Sequence, residues 1–308
     1  MSLAVLCPGQ GAQQPGLFDF VDGHAESARV VEAAADALGE NPREWLKDTD
    51  AIYRNAIAQP LIAIAQLAQW AALRSELPAP VALAGYSVGE LACYGLSRAL
   101  DAGELARLAR ARADAMDAAA AANPGGLLGV HGLTRVTLQK LCVAADAFVA
   151  IVIAEDAYVV GGNEGALERV RERCAKSGAK VTELRVDIPS HTPLLAAAEM
   201  DFRDSLDGSP LSSPSIPVVA GVDATLVATR AHAIASLSAQ ISHTVEWAQC
   251  LDTLHERGCR VFIELAPGRA LSRMLRERFD DVDARSVDEF RELPGVARWA
   301  TKRLDDLS

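Results

Sequence analysis

Residues 81–94 read Val81-Ala82-Leu83-Ala84-Gly85-Tyr86-Ser87-Val88-Gly89-Glu90-Leu91-Ala92-Cys93-Tyr94. The first five form a continuous apolar run, the pattern of a strand buried on both faces in a parallel sheet. From Val88 onward the pattern suits a helix. Gly85-x-Ser87-x-Gly89 sits between them, and strand, G-x-S-x-G and helix in that order are the setting of a nucleophile elbow. The glycines suit a turn too sharp for side chains. The serine is raised at the strand's carboxyl end, and the Val88 amide, opening the helix, can face an oxyanion. The alternative is a plain strand–helix turn whose serine caps the helix.

Outward from this stretch, Leu3-Ala4-Val5-Leu6-Cys7 is a second buried strand, closed by the turn-rich Pro8-Gly9-Gln10-Gly11-Ala12-Gln13. Helical patterns cover 25–38, 60–74, with Pro60 in its first turn, and 102–122, which stops at Asn123-Pro124-Gly125-Gly126. The character then changes. Strands at 127–130, 148–153, 158–160 and 181–186 alternate with helices at 135–144 and 164–177, a fit to a split βαβ insert. Beyond it come a helix at 192–206, a strand at 216–221, helices at 231–240 and 246–257, a strand at 260–264 and a helix at 269–279. Ser286 with Glu289 forms a capping box that opens a last helix.

Thirty Lys and Arg against 41 Asp and Glu leave a net charge of −11, which argues against a nucleic-acid binder. The six cysteines, at 7, 93, 142, 174, 250 and 259, have no CxxC spacing, so neither a zinc site nor a disulfide framework is expected. Reduced thiols and no signal segment suggest a cytoplasmic protein. The apolar run 61–73 is interrupted by Gln66 and Gln69 and reads as a core helix rather than a membrane span.

A reactive serine needs a base. Among six histidines, His191 stands out, because Asp187-Ile188-Pro189-Ser190-His191-Thr192-Pro193 leaves a strand and enters a helix. His243 is the runner-up. In the helix 102–122, Arg112 lies four residues from both Leu108 and Met116 and shares their inward face. A buried guanidinium requires an anionic partner. A structural Asp or Glu and a substrate carboxylate are equally consistent with the spacing.

These segments resemble the malonyl-CoA:acyl carrier protein transacylases. Residues 8–13 match the family's P-G-Q-G-[SA]-Q, Gln59-Pro60 its Q-P, and Gly85 to Glu90 its G-H-S-x-G-E. Arg112 and Met116 match R-x-x-x-M, and Pro189-Ser190-His191 the histidine loop. Gln240 to Trp247 and Glu264 to Gly268 match the two later motifs. The resemblance spans nearly the whole chain and implies an α/β-hydrolase-like core with a parallel sheet, residues 1–125 and 188–308, carrying a small ferredoxin-like α+β insert, residues 126–187.

The resemblance also implies roles. Ser87 is acylated, His191 is its base, and Gln10 with the Val88 amide forms the oxyanion hole. Arg112 holds the malonyl carboxylate, and the main-chain carbonyl of Gln240 orients the histidine. The implied activity moves a malonyl group from coenzyme A to the phosphopantetheine thiol of an acyl carrier protein, with no metal or other cofactor and no nucleic-acid or membrane partner. Tyr86 stands where the family has histidine and lines the acyl pocket. With the 286–290 tail, it resembles transacylase subunits of malonate decarboxylase, which would make that complex's carrier protein the acceptor. A thioester hydrolase shares the elbow and is the rival from another class. A subunit that only docks a carrier protein is the non-catalytic rival. A basic carrier-docking face is sought on the insert at Arg169, Arg171, Arg173, Lys176 and Lys180, where the alternative is a solvated helix face.

Overall fold

The computed structural model describes residues 2–184 and 186–306. Among the described residues ten strands run in chain order: β1 (Ser2–Cys7), β2 (Ala82–Gly85), β3 (Gly126–His131), β4 (Phe148–Ala154), β5 (Ala157–Gly162), β6 (Lys180–Glu183), β7 (Val218–Val219), β8 (Leu226–Val227), β9 (Cys259–Glu264) and β10 (Asp283–Ser286). They form two sheets. The larger has the order β10-β9-β1-β2-β7-β8 and is parallel except for the β7–β8 pair at its edge. The smaller, β4-β5-β3-β6, is antiparallel throughout.

The apolar runs at 3–7 and 81–85 do become the two central strands. β1 is buried from Leu3 to Cys7 and β2 along its whole length, and they pair from Ala4 opposite Ala82 to Cys7 opposite Gly85. Two strands built from Ala, Leu and Val side by side are stable here because both faces are packed into core, Leu3, Val5 and Leu83 on one and Ala4, Leu6 and Ala84 on the other. The helix Asn55–Leu73 is almost wholly buried. Two of its buried glutamines each use one end of the amide: Gln66 Nε2 donates to the Pro8 carbonyl at 2.7 Å, and Gln69 Oε1 accepts from the Ala266 amide at 2.8 Å. They tie the loops after β1 and β9 to one helix. Glu264, at the end of β9, accepts from the Leu271 and Ser272 amides at 3.1 and 2.7 Å. From the strand's end, this carboxylate faces first-turn amides of the helix Ala270–Arg278, which have no intrahelical acceptor.

Several expectations change. Pro60 lies inside the helix Asn55–Leu73, not in its first turn, because the helix begins five residues earlier. The helix expected at 192–206 is split into a 3-10 turn, Pro193–Leu195, and the helix Ala196–Asp207. The strand expected at 216–221 shrinks to Val218–Val219. Of the strand expected at 181–186, the observed part is Lys180–Glu183, and Arg185 lies outside the described residues. The Ser286–Glu289 capping box is present, but it opens a 3-10 turn, and the last helix starts at Leu293. β10 and β8 carry no apolar run and were not expected.

The smaller sheet is fastened beside the larger one. Val245 donates to the Ala150 carbonyl and accepts from the Val152 amide, both at 2.9 Å. Arg135 at the start of the helix Arg135–Ala145 binds Glu246 through both terminal nitrogens, at 2.9 and 2.5 Å. All six cysteines are free and buried.

Candidate active site

The elbow is built by close approach. A β-carbon on Gly85 would overlap the Glu90 backbone, and one on Gly89 would overlap the Cys7 carbonyl. Their absence lets the helix Val88–Leu96 press against the ends of β1 and β2. Ser87 is held at φ 56°, ψ −120°, a conformation costing about 1–3 kcal/mol for a residue with a side chain. The Ser87 side chain does not cap the helix. It turns instead toward His191, whose Nε2 lies 2.9 Å from Ser87 Oγ across 104 positions of sequence. The capping alternative is thereby excluded.

His191 is itself at φ 62°, and its amide donates to the Ile241 carbonyl at 2.8 Å. Its Nδ1 lies 2.5 Å from the Gln240 main-chain carbonyl. A carbonyl only accepts, so Nδ1 carries the proton and the Nε2 lone pair faces the serine. Burial lowers the His191 pKa to about 4; the nearby Arg112 charge acts in the same direction, and the Gln240 carbonyl opposes. The imidazole is neutral at pH 7, as a base must be.

Arg112 is fully buried on the inward face of the helix Ala102–Ala122. Its Nη1 donates to Gln59 Oε1 at 2.6 Å and its Nη2 to Gln240 Oε1 at 2.9 Å. Both acceptors are neutral amides. Burial lowers its pKa to about 10, opposed by the charge of Glu90, so it remains a cation at pH 7. Glu90 reaches it only through Gln240, whose Nε2 donates to Glu90 Oε2. Burial raises the Glu90 pKa to about 7, against the Gly221 amide, the Gln240 side chain and Arg112.

The Val88 amide opens the helix Val88–Leu96, where amides have no intrahelical acceptor. Gly9 packs so closely on the elbow that a β-carbon there would lie 2.9 Å from the Tyr86 carbonyl and 3.6 Å from Ser87 Cβ. Gln10 follows directly. Its Oε1 is buried without a partner among the described residues, and the residue lines a cleft of about 1030 Å³ along with Asn55, Asp117 and Ile188. Ser87, His191 and Arg112 do not line this cleft; Asn55, which does, accepts from Gln59 Nε2 at 2.6 Å, and Gln59 in turn accepts from Arg112. Tyr86 meets Trp247 edge to face at 5.4 Å, and burial pushes its hydroxyl well above the usual range.

His243, the runner-up base, is distant in role: its Nδ1 bonds the Ala239 carbonyl at 3.0 Å and its side chain is 63% exposed. On the insert, Arg169 and Arg173 donate to the Ala145 and Ala144 carbonyls, and Arg171 pairs with Glu168. Three of the five sought cations are therefore spent within the insert. Sequence reasoning assigned no role to Glu90, to Gln59 or to the Gln240 side chain. The available signal was a lone carboxylate inside the apolar helix segment 88–96.

The acyl transferase domain model matches residues 5–298. The chain belongs to the acyl transferase domain family. At full length, this acyl transferase chain is 30% identical over 301 residues to the malonyl CoA-acyl carrier protein transacylase of Mycobacterium bovis, covering 96% of this chain and 99% of that protein. It superposes on the acyl-carrier-protein S-malonyltransferase of Burkholderia pseudomallei with a TM-score of 0.91 at 27% identity, covering 97% and 100% of the two chains. The malonyl-CoA:acyl carrier protein transacylase of Xanthomonas oryzae gives 0.89 at 28% identity, covering 93% and 94%. The larger parallel-containing sheet and the second, antiparallel sheet are thus those of a known acyl transferase fold, as the sequence motifs led one to expect.

Proposed function

We propose that the chain is an [acyl-carrier-protein] S-malonyltransferase working through a Ser87 acyl-enzyme. One observation carries this reading: Ser87, His191 and the Gln240 carbonyl align beside a buried guanidinium that only neutral oxygens hold. His191 Nε2 takes the Ser87 proton as Oγ attacks the malonyl thioester carbonyl. The developing oxyanion is met by the Val88 amide and by Gln10; one such donor is worth about 2.7–4 kcal/mol in comparable sites. As the tetrahedral species collapses, the coenzyme A sulfur leaves and takes the proton back from His191. The phosphopantetheine thiol of an acyl carrier protein then reverses the sequence and carries the malonyl group away. Arg112 offers its planar fork to the acyl carboxylate, the anionic partner that the protein itself does not supply directly. Malonyl-CoA is a substrate in this scheme, and every step is assigned to side chains and main-chain amides.

The same reading treats residues 1–125 and 188–308 as an α/β-hydrolase-like core and 126–187 as a ferredoxin-like insert. The β3–helix–β4–β5–helix–β6 connectivity, with sheet order β4-β5-β3-β6, supports the latter. Tyr86, packed on Trp247, shapes the acyl pocket and is the residue that favours malonate decarboxylase's carrier protein as the acceptor.

The test incubates the protein with malonyl-CoA, with and without a holo-carrier protein. Transfer predicts malonyl-carrier as the product and little free malonate without the acceptor. Rapid release of malonate without any acceptor thiol would identify a hydrolase instead.

A further inference from the structure

The Glu90 side chain bonds to neither Ser87 nor Arg112 among the described residues, and no step of the proposed reaction uses it. It is nevertheless a carboxylate with no exposed surface, in the first turn of the helix that the nucleophile opens. Its Oε2 accepts from Gln240 Nε2 and from the Gly221 amide at 3.0 Å. Its Oε1 is buried with no hydrogen-bond partner among the described residues. A group so placed costs stability, so its local geometry is informative.

An amide side chain has one donating end and one accepting end. Glu90, accepting at Oε2, takes the donating end of Gln240. The accepting end, Oε1, is thereby left for Arg112 Nη2 at 2.9 Å. Reversal of that amide would set an NH2 group against the guanidinium, donor facing donor. Gln59 Oε1 fixes the other terminal nitrogen at 2.6 Å, so the plane of the fork depends on both amides.

We propose that Glu90 is a positioning residue: by fixing the orientation of the Gln240 side-chain amide it aims the Arg112 guanidinium at the free carboxylate of the acyl group. The inference rests on the reading of Arg112 as the carboxylate-binding residue. It assigns to Glu90 a part in choosing among acyl groups, not in making or breaking bonds. The main-chain carbonyl of Gln240 continues to orient His191 whichever way the side chain points, so the two functions of that residue separate.

The test measures Ser87 acylation by malonyl-CoA and by acetyl-CoA, as separate kcat and KM values, in E90L, E90D, E90Q and R112A. E90L removes the acceptor, and E90D withdraws it by one methylene while keeping the charge. Both are expected to lower the malonyl-over-acetyl preference by about tenfold or more, the scale of one hydrogen bond to a charged group, through a raised malonyl KM. Acetyl kinetics should stay within about threefold of the parent, and E90Q, which keeps an oxygen for Gln240 and Gly221, should hold the preference within the same factor. E90D carries the test if E90L does not fold. Equal loss for both acyl groups, or no loss, in E90L and E90D overturns the proposal, as does a loss in E90Q equal to theirs. R112A separates the two levels: no change of preference there sinks the reading of Arg112 itself, whereas a change there with none in E90L or E90D sinks only the role of Glu90.

Discussion

The main-chain carbonyl of Gln240 lies 2.5 Å from Nδ1 of His191. The imidazole is therefore oriented by backbone and not by a carboxylate. A buried acid at that place would stabilise the imidazolium but would also compete with the substrate's carboxylate for Arg112. The carbonyl orients the ring without adding a negative charge. The same residue's side chain turns the other way, to Arg112, so one position serves both the base and the guanidinium.

Gln240→Ala separates those two functions. The carbonyl stays, so acylation by acetyl-CoA should remain within about threefold of the parent, while malonyl KM rises by about tenfold. Steady-state acylation kinetics with the two thioesters check this.

Arg112→Ala should reduce acylation by malonyl-CoA far more than by acetyl-CoA. Hydrogen bonds to charged groups contribute about 1.5–3 kcal/mol, so the selective loss should be roughly 10- to 150-fold. Arg112→Lys should recover only part of it, since an ammonium cannot span Gln59, Gln240 and a carboxylate in one plane. Equal losses for both thioesters would make Arg112 a structural cation.

The depressed His191 pKa, about 4, sets a pH profile. With acetyl-CoA, which lacks a free carboxylate, kcat/KM should be level from about pH 6 to 8 and fall below about pH 5 as the base is protonated. The sign for stability follows. An unfolded histidine titrates near 6.5 (about the free value), so below that pH the unfolded chain binds a proton that the folded one excludes. This group leaves stability unaffected above about pH 6.5 and subtracts from it as pH falls toward 4. Unfolding of His191→Gln, followed by denaturant titration between those limits, should lack that component.

Gly89→Ala should disrupt the elbow. The new β-carbon would overlap the Cys7 carbonyl, which is backbone and cannot swing away. Overpacking of this kind costs about 1–3 kcal/mol, and a chain this size loses roughly 1–2 °C of Tm per kcal/mol. A thermal melt and an acylation assay should both report the loss, because the clash displaces the helix that follows Ser87.

The sequence makes some of this plain and conceals the rest for definite reasons. Leu3 to Cys7 and Val81 to Gly85 are buried on both faces, so their apolar runs announce central parallel strands. Ser87 is legible because it sits where a strand gives way to a helix, and His191 because its Pro-flanked loop leads from the small sheet into the helix Ala196–Asp207. β10, Asp283–Ser286, is invisible: it lies at the sheet's edge and its residues alternate with polar ones. Pro60 misleads because a proline favoured in a first turn is also tolerated where its missing N–H is compensated by packing. The inward face of Arg112 follows from spacing, but its partners do not. Gln59 and Gln240 are 53 and 128 positions away, and an amide acceptor leaves no charge pattern in a sequence.

The central claim is that Ser87 becomes acylated with His191 as its base. Intact-mass and peptide mass spectrometry after brief exposure to malonyl-CoA tests it most directly. The account predicts one malonyl group on the peptide containing Ser87, none in Ser87→Ala, and slow, incomplete labelling in His191→Ala. A malonylated Ser87→Ala protein, or a parent protein that transfers the group to a carrier without ever carrying it on Ser87, would contradict the account.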